Sequence, residues 1–255
     1  MDKIPAVIIG LGRIASLLED DSRREKPCTH AGAINANPFC FLAAGCDKDE
    51  ERRRLFAKRW GVPVYDNAAL MIRAQSPLLV VIATHPDSHC FYCRLVDDSG
   101  VPVIVCEKPL ADTLSEARKI ASLAKQGSLT IITNHERRYS ADYIKAKEVL
   151  NSRKLGALLS VRGVLYMGEN KRLLDVLWHD GTHLADAIMF LSGMVLKHRK
   201  SWGARLGASA GTAWLEGVLV AKKPSGKSEE DRKGRAPLPV LMEIGAGRDH
   251  LVFEM

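Results

Sequence analysis

The first half of the chain alternates short apolar runs with charged, amphipathic segments. The runs hold four to six residues each, as expected for buried strands of a parallel sheet. The segments between them have the apolar spacing of helices. This alternation predicts an α/β fold built on a doubly wound parallel sheet. The predicted strands are Ala6–Ile9, Phe41–Cys46, Val62–Tyr65, Leu78–Ala83, Val101–Cys106 and Leu129–Thr133. The predicted helices are Glu50–Arg59, Asn67–Ala74, one that opens in residues 84–89 and runs to Asp97, and Leu114–Lys125.

The pattern changes after Asn134, where apolar and polar residues alternate imperfectly, as in half-buried strands. We therefore predict two domains, residues 1–134 and 135–255, the second an α+β domain with a mainly antiparallel sheet. Its predicted helices are Ser140–Leu150 and one within Leu173–Leu191, and its predicted strands are Leu158–Tyr166, Val195–Trp202, Thr212–Ala221 and Leu238–Ile244.

The composition is that of an ordinary globular protein, with 46% hydrophobic and 26% charged residues. The 255 residues contain no apolar stretch long enough for a membrane span and no signal-peptide layout, so we expect a cytoplasmic protein. All six cysteines lie in the first half, mostly within strand or helix patterns, which favours reduced thiols. The net charge of +7, with a local excess at Lys222–Arg235, suits an anionic ligand such as a dinucleotide, and no motif indicates nucleic acid.

A glycine motif follows the first predicted strand directly. Gly10-Leu11-Gly12-Arg13-Ile14-Ala15 has the G-x-G-x-x-G/A form, and a helical pattern continues through Leu18. Gly10 allows a tight turn, Gly12 lets the backbone approach a pyrophosphate, and Ala15 lets helix and strand pack closely. The strand before the motif and the helix after it favour dinucleotide binding over a purely structural turn, with Arg13 and Ile14 as further cofactor contacts.

Asp47 ends the second predicted strand, where an acid can bind the adenosine ribose hydroxyls and repel a 2′-phosphate. This favours NAD over NADP, although the adjacent Lys48 could soften the repulsion. The distance from the glycines exceeds the usual spacing because a polar segment, Asp20–Asn37, is inserted. Asp47 could also serve as the N-cap of the helix that follows.

The loop after the strand Leu78–Ala83 contains Thr84, His85 and His89, which we expect to lie beside the cofactor. His85 and His89 with Cys90 and Cys93 have a spacing that could bind a metal. We discount that alternative, because this helix must also pack and no second cysteine pair accompanies the first.

The strand Val101–Cys106 ends in Glu107-Lys108-Pro109. Ligands of open α/β sheets bind beyond the carboxyl ends of the strands, so Lys108 is placed where a substrate would lie. A partly buried lysine can donate a hydrogen bond to a substrate oxygen and share its proton. The alternative is a surface lysine at a strand end.

A second polar cluster opens the helix of the second half, with His179, Asp180 and His183. On a helix, spacings of three and four place these side chains on one face. His183 could accept a hydroxyl proton, with His179 or Asp180 holding its tautomer. The alternative is a core or capping histidine. A zinc site is also conceivable, but no glutamate stands between the histidines as in zinc peptidases.

These motifs, together with Arg137-Arg138-Tyr139, occur in an order and spacing that resemble the glucose–fructose oxidoreductase / inositol dehydrogenase / MocA family. The resemblance implies a Rossmann domain followed by an open-faced sheet that commonly mediates oligomers, here a dimer or tetramer. It implies NAD(P)-linked oxidation or reduction of a sugar, cyclitol or related polyol. It assigns Lys108 to substrate binding and proton relay and His183 to catalysis, and it suggests a cis peptide before Pro109. We also expect Glu107 to lie in the cofactor site.

Two features depart from the family pattern. His179 stands where the family often has an acid. The chain is also shorter than usual, so either the second sheet is trimmed or the interface and part of the pocket differ. We therefore predict an NAD-dependent oxidoreductase that acts on a polyhydroxylated small molecule, binds no metal and has no nucleic-acid or membrane partner. The alternative is a dinucleotide-binding protein without turnover, acting as a sensor or assembly subunit.

Overall fold

The computed structural model describes residues 3–126, 129–167, 173–205, 211–220 and 238–246. The chain forms two compact units, residues 1–134 and 135–255. The basic stretch Lys222–Arg235 lies outside the described residues.

The first unit is built on a six-stranded sheet with the order β3-β2-β1-β4-β5-β6, and all of its pairings are parallel. This is the strand order of a Rossmann fold, so the predicted doubly wound sheet is confirmed. The strands are β1 (Ile4–Ile9), β2 (Cys40–Cys46), β3 (Val64–Tyr65), β4 (Leu79–Ile82), β5 (Val103–Cys106) and β6 (Thr130–Thr133).

Five α-helices connect these strands: α1 (His30–Ala36), α2 (Glu50–Trp60), α3 (Ala68–Gln75), α4 (Pro86–Asp98) and α5 (Leu114–Lys125). Side-chain caps fix where several of them begin. Asp49 accepts a hydrogen bond from the Arg52 amide at the start of α2, and Thr113 accepts one from the Glu116 amide at the start of α5. Gly61, in the left-handed region, ends α2.

The helix predicted after the glycine motif is interrupted, so the prediction of a continuous helical pattern through Leu18 was wrong. Residues 12–16 form a turn, and a short 3₁₀ helix, Leu17–Asp20, follows. The amides of His30 and Ala31 then donate to the carbonyls of Ile14 and Ala15, both at 3.0 Å. These partners are sixteen residues apart rather than the four of a continuous α-helix. Residues 16–29 therefore form an excursion, and α1 resumes the same helical ladder beyond it.

The excursion is bound to the rest of the first unit at its base. Arg59 Nη1 donates to the Ser16 carbonyl at 2.7 Å, and Trp60 Nε1 donates to the Ser16 hydroxyl at 2.9 Å. Within the excursion itself, the Thr29 hydroxyl donates to the Glu19 carboxylate. The excursion accounts for the long spacing between the glycines and Asp47.

The sheet of the first unit is buried on both faces, as a doubly wound fold requires. Val7 and Ile9 pack on one face with helix residues such as Met71, while Ala6 and Ile8 pack on the other with Phe56 and its neighbours. Adjacent residues of β1 thus supply two separate cores.

The second unit holds the helices α6 (Ala141–Asn151), α7 (Leu173–His179) and α8 (Gly181–Ser192). The single helix predicted within 173–191 is broken at Asp180. The four-stranded sheet has the order β7-β10-β9-β8, parallel between β7 and β10 and antiparallel elsewhere, which confirms a mainly antiparallel sheet. Its strands are β7 (Val161–Met167), β8 (Val195–Arg205), β9 (Gly211–Val220) and β10 (Leu238–Ala246).

Helices α7 and α8 cover one face of this second sheet. Val176 and Ile188 pack there against Leu219 and Val240. A side chain at Gly163 would lie within 3.0 Å of Leu184 and Ile188 side-chain atoms, so a glycine allows α8 to approach β7 closely.

In the described part of the chain, no helix has the length and apolar character that a membrane span needs. All six cysteines are free thiols. A hydrogen bond with Cys93, together with burial, raises the pKa of Cys106, so Cys106 stays a thiol within the core.

Candidate functional site

The carboxyl ends of the parallel strands gather most of the polar residues that the sequence singled out in the first unit. Gly10 follows β1, Asp47 follows β2, Thr84 closely follows β4, and Glu107 follows β5. Asn134, which sequence reasoning did not select, follows β6. Open α/β sheets bind their ligands at this edge, and here the strand order reverses between β1 and β4.

The two glycines of the motif differ in their surroundings. Gly10 has φ +89°, and a Cβ there would lie 2.8 Å from backbone atoms of Ala83 and Thr84. Only glycine fits this position, so the turn packs directly on the end of β4. At Gly12 the nearest described atom to such a Cβ is Nη1 of Arg52, at 3.8 Å. The open space beside Gly12 is what a bound pyrophosphate would need, so the turn fits a dinucleotide.

The last three residues of the motif differ in their exposure. Ala15 is fully buried beneath the turn. Arg13 is exposed and Ile14 is half-buried, and their contact with a cofactor stays a prediction.

Asp47 is held against the glycine turn. Its Oδ2 accepts a hydrogen bond from the Leu11 amide at 2.7 Å, and its Oδ1 accepts one from the Asp49 amide at 2.9 Å. Asp49, not Asp47, caps α2, so the alternative capping role of Asp47 is not the one observed. Asp47 therefore couples the end of β2 to the turn that would hold the dinucleotide.

The loop after β4 is ordered around His89, whose side chain is fully buried. One ring nitrogen lies 3.1 Å from the Thr84 carbonyl oxygen and the other 3.3 Å from that of Leu110. His89 thereby ties this loop to the segment after Lys108, while His85 precedes α4 as its N-cap residue. Their contact with a cofactor stays a prediction. Among the described residues, no group of three or more potential ligands could hold a metal ion.

Glu107 anchors the turn that carries Lys108. Its Oε1 lies 2.8 Å from His30 Nε2 and accepts a hydrogen bond from Asn134 Nδ2 at 2.7 Å. Its Oε2 accepts a bond from the Lys108 amide at 3.3 Å. Burial alone raises the pKa of Glu107. The hydrogen bond and charge of His30, together with the hydrogen bonds from Asn134 and the Lys108 amide, lower the pKa by more than burial raises it, so it lies below its usual range.

Glu107 is therefore a buried, ionised anchor, and the half-buried Lys108 follows it directly. The Lys108–Pro109 peptide is cis, as the family resemblance suggested. Sequence reasoning missed His30, which lies within the stretch Asp20–Asn37 that was interpreted as an inserted polar segment.

His183 lies buried in the first turn of α8. Its Nδ1 is 3.6 Å from Oε2 of Glu136, which begins a 3₁₀ helix, Glu136–Tyr139. The His135 ring meets the His183 ring edge to face, with centroids 5.7 Å apart. Glu136 and His135, neither selected from the sequence, thus contribute to the surroundings of His183.

An ion pair fixes this 3₁₀ helix on α8. Arg138 Nε donates to Asp186 Oδ2 at 2.7 Å, and Nη2 donates to the other oxygen of the same buried carboxylate. The hydrogen bonds to Asp186 raise the pKa of Arg138. The bidentate geometry holds the segment that carries Glu136 beside His183.

The structure places His179 and Asp180 at the break between α7 and α8. His179 is exposed and ends α7, while the Asp180 carbonyl accepts a hydrogen bond from the His183 amide at 3.1 Å. Because the helix is broken, the same-face argument from a continuous helix does not apply across Asp180. Which of the two supports His183 stays a prediction.

Comparisons with known proteins agree with this architecture. The chain is 28% identical over 170 residues to D-apiose dehydrogenase of Paraburkholderia graminis, a stretch covering 61% of the chain and 44% of that protein. It is 32% identical over 127 residues to inositol 2-dehydrogenase of Rubrobacter xylanophilus, covering 49% and 36%. The matches thus span less than half the length of these relatives.

Among solved structures, myo-inositol 2-dehydrogenase from Lactobacillus plantarum superposes with a TM-score of 0.68 at 20% identity. The match covers 97% of this chain and 70% of that one. At this identity the likeness shows a shared fold.

A family model described as the oxidoreductase family with an NAD-binding Rossmann fold matches residues 4–135, just over half of the chain. The strand order, the glycine turn and the Glu-Lys-Pro turn of the first unit all lie within the matched residues. The chain belongs to the glucose–fructose oxidoreductase / inositol dehydrogenase / MocA family of oxidoreductases.

Proposed function

We propose that the protein is an NAD-dependent dehydrogenase or reductase that acts on a CH–OH group of a sugar, cyclitol or related polyol. The observation that carries the proposal is the shared edge of the first sheet. There an open glycine turn and a lysine held by a buried carboxylate follow strands of one parallel sheet. The names of the relatives, an inositol dehydrogenase and an apiose dehydrogenase, support a polyhydroxylated substrate.

The glycine turn and Asp47 would hold the cofactor, with Asp47 favouring NAD through the ribose hydroxyls. When bound, the dinucleotide supplies the hydride chemistry at its nicotinamide ring. Lys108 would donate a charged hydrogen bond to the reacting oxygen, which stabilises developing negative charge. His183 would accept the hydroxyl proton in oxidation and return it in reduction.

The test is a substrate screen in which NADH absorbance is followed with polyols and sugars. Lys108→Ala and His183→Ala should each lower kcat by about 10² to 10⁴-fold while the Kd for NAD⁺ stays nearly constant. The exposed Lys125 and His198 supply matched controls, whose alanine variants should retain wild-type kcat. NAD⁺ binding without turnover of any tested polyol would favour the alternative, a sensor or assembly subunit.

We further propose a homo-oligomer that covers the open face of the second sheet. Val164 is 44% exposed and Trp202 is 43% exposed, and the strand register aligns both in one row across the sheet. Glu243 of β10 stands between the two in this row, and exposed apolar side chains on the sheet face opposite α7 and α8 favour association. Light scattering at micromolar concentration should give a mass above that of one chain, and Trp202→Lys should reduce it; a wild-type monomer would contradict the proposal.

A further inference from the structure

The space beside Asp47 also contains an arginine. Arg52 lies in the first turn of α2, and its side chain is 45% exposed. Its Nη1 lies 3.6 Å from Asp47 Oδ2, and its Nε lies 4.0 Å from Asp49 Oδ2. The same Nη1 is the nearest described atom to a Cβ built on Gly12, at 3.8 Å. The guanidinium thus reaches from the acid at the end of β2 to the glycine turn.

The neighbouring arginines of α2 are engaged differently. Arg53 Nη1 donates to the carbonyls of Asp47 and Lys48, at 2.8 and 2.9 Å, and so closes the loop before the helix. Arg54 forms two 2.7 Å hydrogen bonds with Glu51 on the exposed side of α2. Of the three, Arg52 is the one whose guanidinium faces the glycine turn.

This placement changes the charge that the adenosine ribose of a dinucleotide would meet. The Asp47 side chain is only 10% exposed and already accepts two backbone hydrogen bonds, so its charge is directed into the turn. Arg52 brings a positive charge beside Oδ2 of the Asp47 carboxylate. An acid alone at this position repels a 2′-phosphate, whereas an adjacent guanidinium offsets the acid and offers paired donors to phosphate oxygens.

We propose that Arg52 determines how this protein discriminates between NAD and NADP, by offsetting Asp47 and binding the 2′-phosphate. The inference rests on the proposed function, since it needs a dinucleotide in the glycine turn. NAD remains the preferred cofactor, and the Kd for NADP is within about tenfold of the Kd for NAD. A tenfold ratio corresponds to about the free energy of one hydrogen bond to a charged group.

Titration calorimetry with NAD⁺ and NADP⁺ tests the inference on the full chain. Arg52→Gln should raise the Kd for NADP⁺ by about tenfold or more, because a charged hydrogen bond is lost. The Kd for NAD⁺ should change by less than about threefold. Arg54→Gln removes an arginine of the same helix that faces Glu51, and should leave both values unchanged. Circular dichroism of each variant checks that the fold is retained.

A second pair of probes isolates the phosphate that Arg52 binds. Adenosine 2′,5′-bisphosphate and AMP differ only in the 2′-phosphate, so Arg52→Gln should weaken the first alone. Equal weakening of both probes would place Arg52 on the 5′-phosphate side and overturn the inference. An unchanged ratio of NADP⁺ to NAD⁺ affinity would overturn it as well, while the proposed function would stand. A wild-type protein that binds neither dinucleotide overturns the proposed function itself.

Discussion

The two glycines of the turn allow stability and cofactor binding to be separated by a matched pair of substitutions. In Gly10→Ala the new methyl carbon would lie 2.8 Å from backbone atoms of Ala83 and Thr84, at a φ of +89°. The left-handed backbone costs an alanine about 1–2 kcal/mol, and relieving the overlap costs about 1–3 kcal/mol more. For a unit of this size we expect the melting temperature to fall by about 10 °C.

In Gly12→Ala the methyl carbon would meet only Arg52 Nη1 among the described atoms, at an ordinary contact distance of 3.8 Å. The free energy of unfolding should therefore change by less than about 1 kcal/mol. The methyl group would occupy the space into which a pyrophosphate must fit, so the Kd for NAD⁺ should rise at least about tenfold.

Thermal unfolding followed by circular dichroism and calorimetric titration with NAD⁺ measure the two effects separately. We expect Gly10→Ala to lower the melting temperature. We expect Gly12→Ala to lower the affinity for NAD⁺ while the melting temperature stays that of the wild type. A Gly10→Ala protein that melts with the wild type would refute the packing argument. A Gly12→Ala protein with wild-type affinity for NAD⁺ would refute the placement of the pyrophosphate.

Three further predictions concern the two histidine–carboxylate pairs. His30→Ala removes the imidazole that lies 2.8 Å from the buried Glu107 carboxylate. This loss should lower the free energy of unfolding by about 2–3 kcal/mol in urea titrations. Since the folded-state pKa of Glu107 is lowered, its stabilising contribution is present above about pH 4.3 and is lost as the pH falls further. The stability advantage of wild type over Glu107→Gln should therefore shrink in acid, and a pH-independent difference would contradict this. Glu136→Gln should lower kcat in the NADH assay, because the Glu136 carboxylate, 3.6 Å from His183 Nδ1, helps to position the ring that accepts the proton; a kcat equal to wild type would count against this role.

The central strands of the parallel sheet could be predicted from the sequence because they are buried on both faces. Each strand is then a continuous apolar run, and the run β5 was predicted as 101–106 and observed as Val103–Cys106. Helix α5 was predicted with both of its observed ends, Leu114 and Lys125, since a threonine cap precedes an amphipathic segment.

The contacts that complete the candidate site could not be predicted in this way. His30 and Glu107 are 77 positions apart, and no local pattern relates them. Glu136 reaches His183 only because a 3₁₀ helix packs on α8, which periodicity does not encode. The break at Asp180 was missed because the apolar spacing continues on both sides of it.

The excursion at residues 16–29 has a consequence for how relatives with a continuous helix should align to this chain. Because His30 takes up the helical ladder that Ile14 began, a gap of about twelve positions should open between these two residues, leaving the registers on either side unchanged. The free energy of such a loop depends weakly on its length, at about 0.6 kcal/mol for each doubling. The segment is therefore a suitable insertion site. A peptide tag placed there should shift neither the glycine turn before it nor His30, the partner of Glu107, after it.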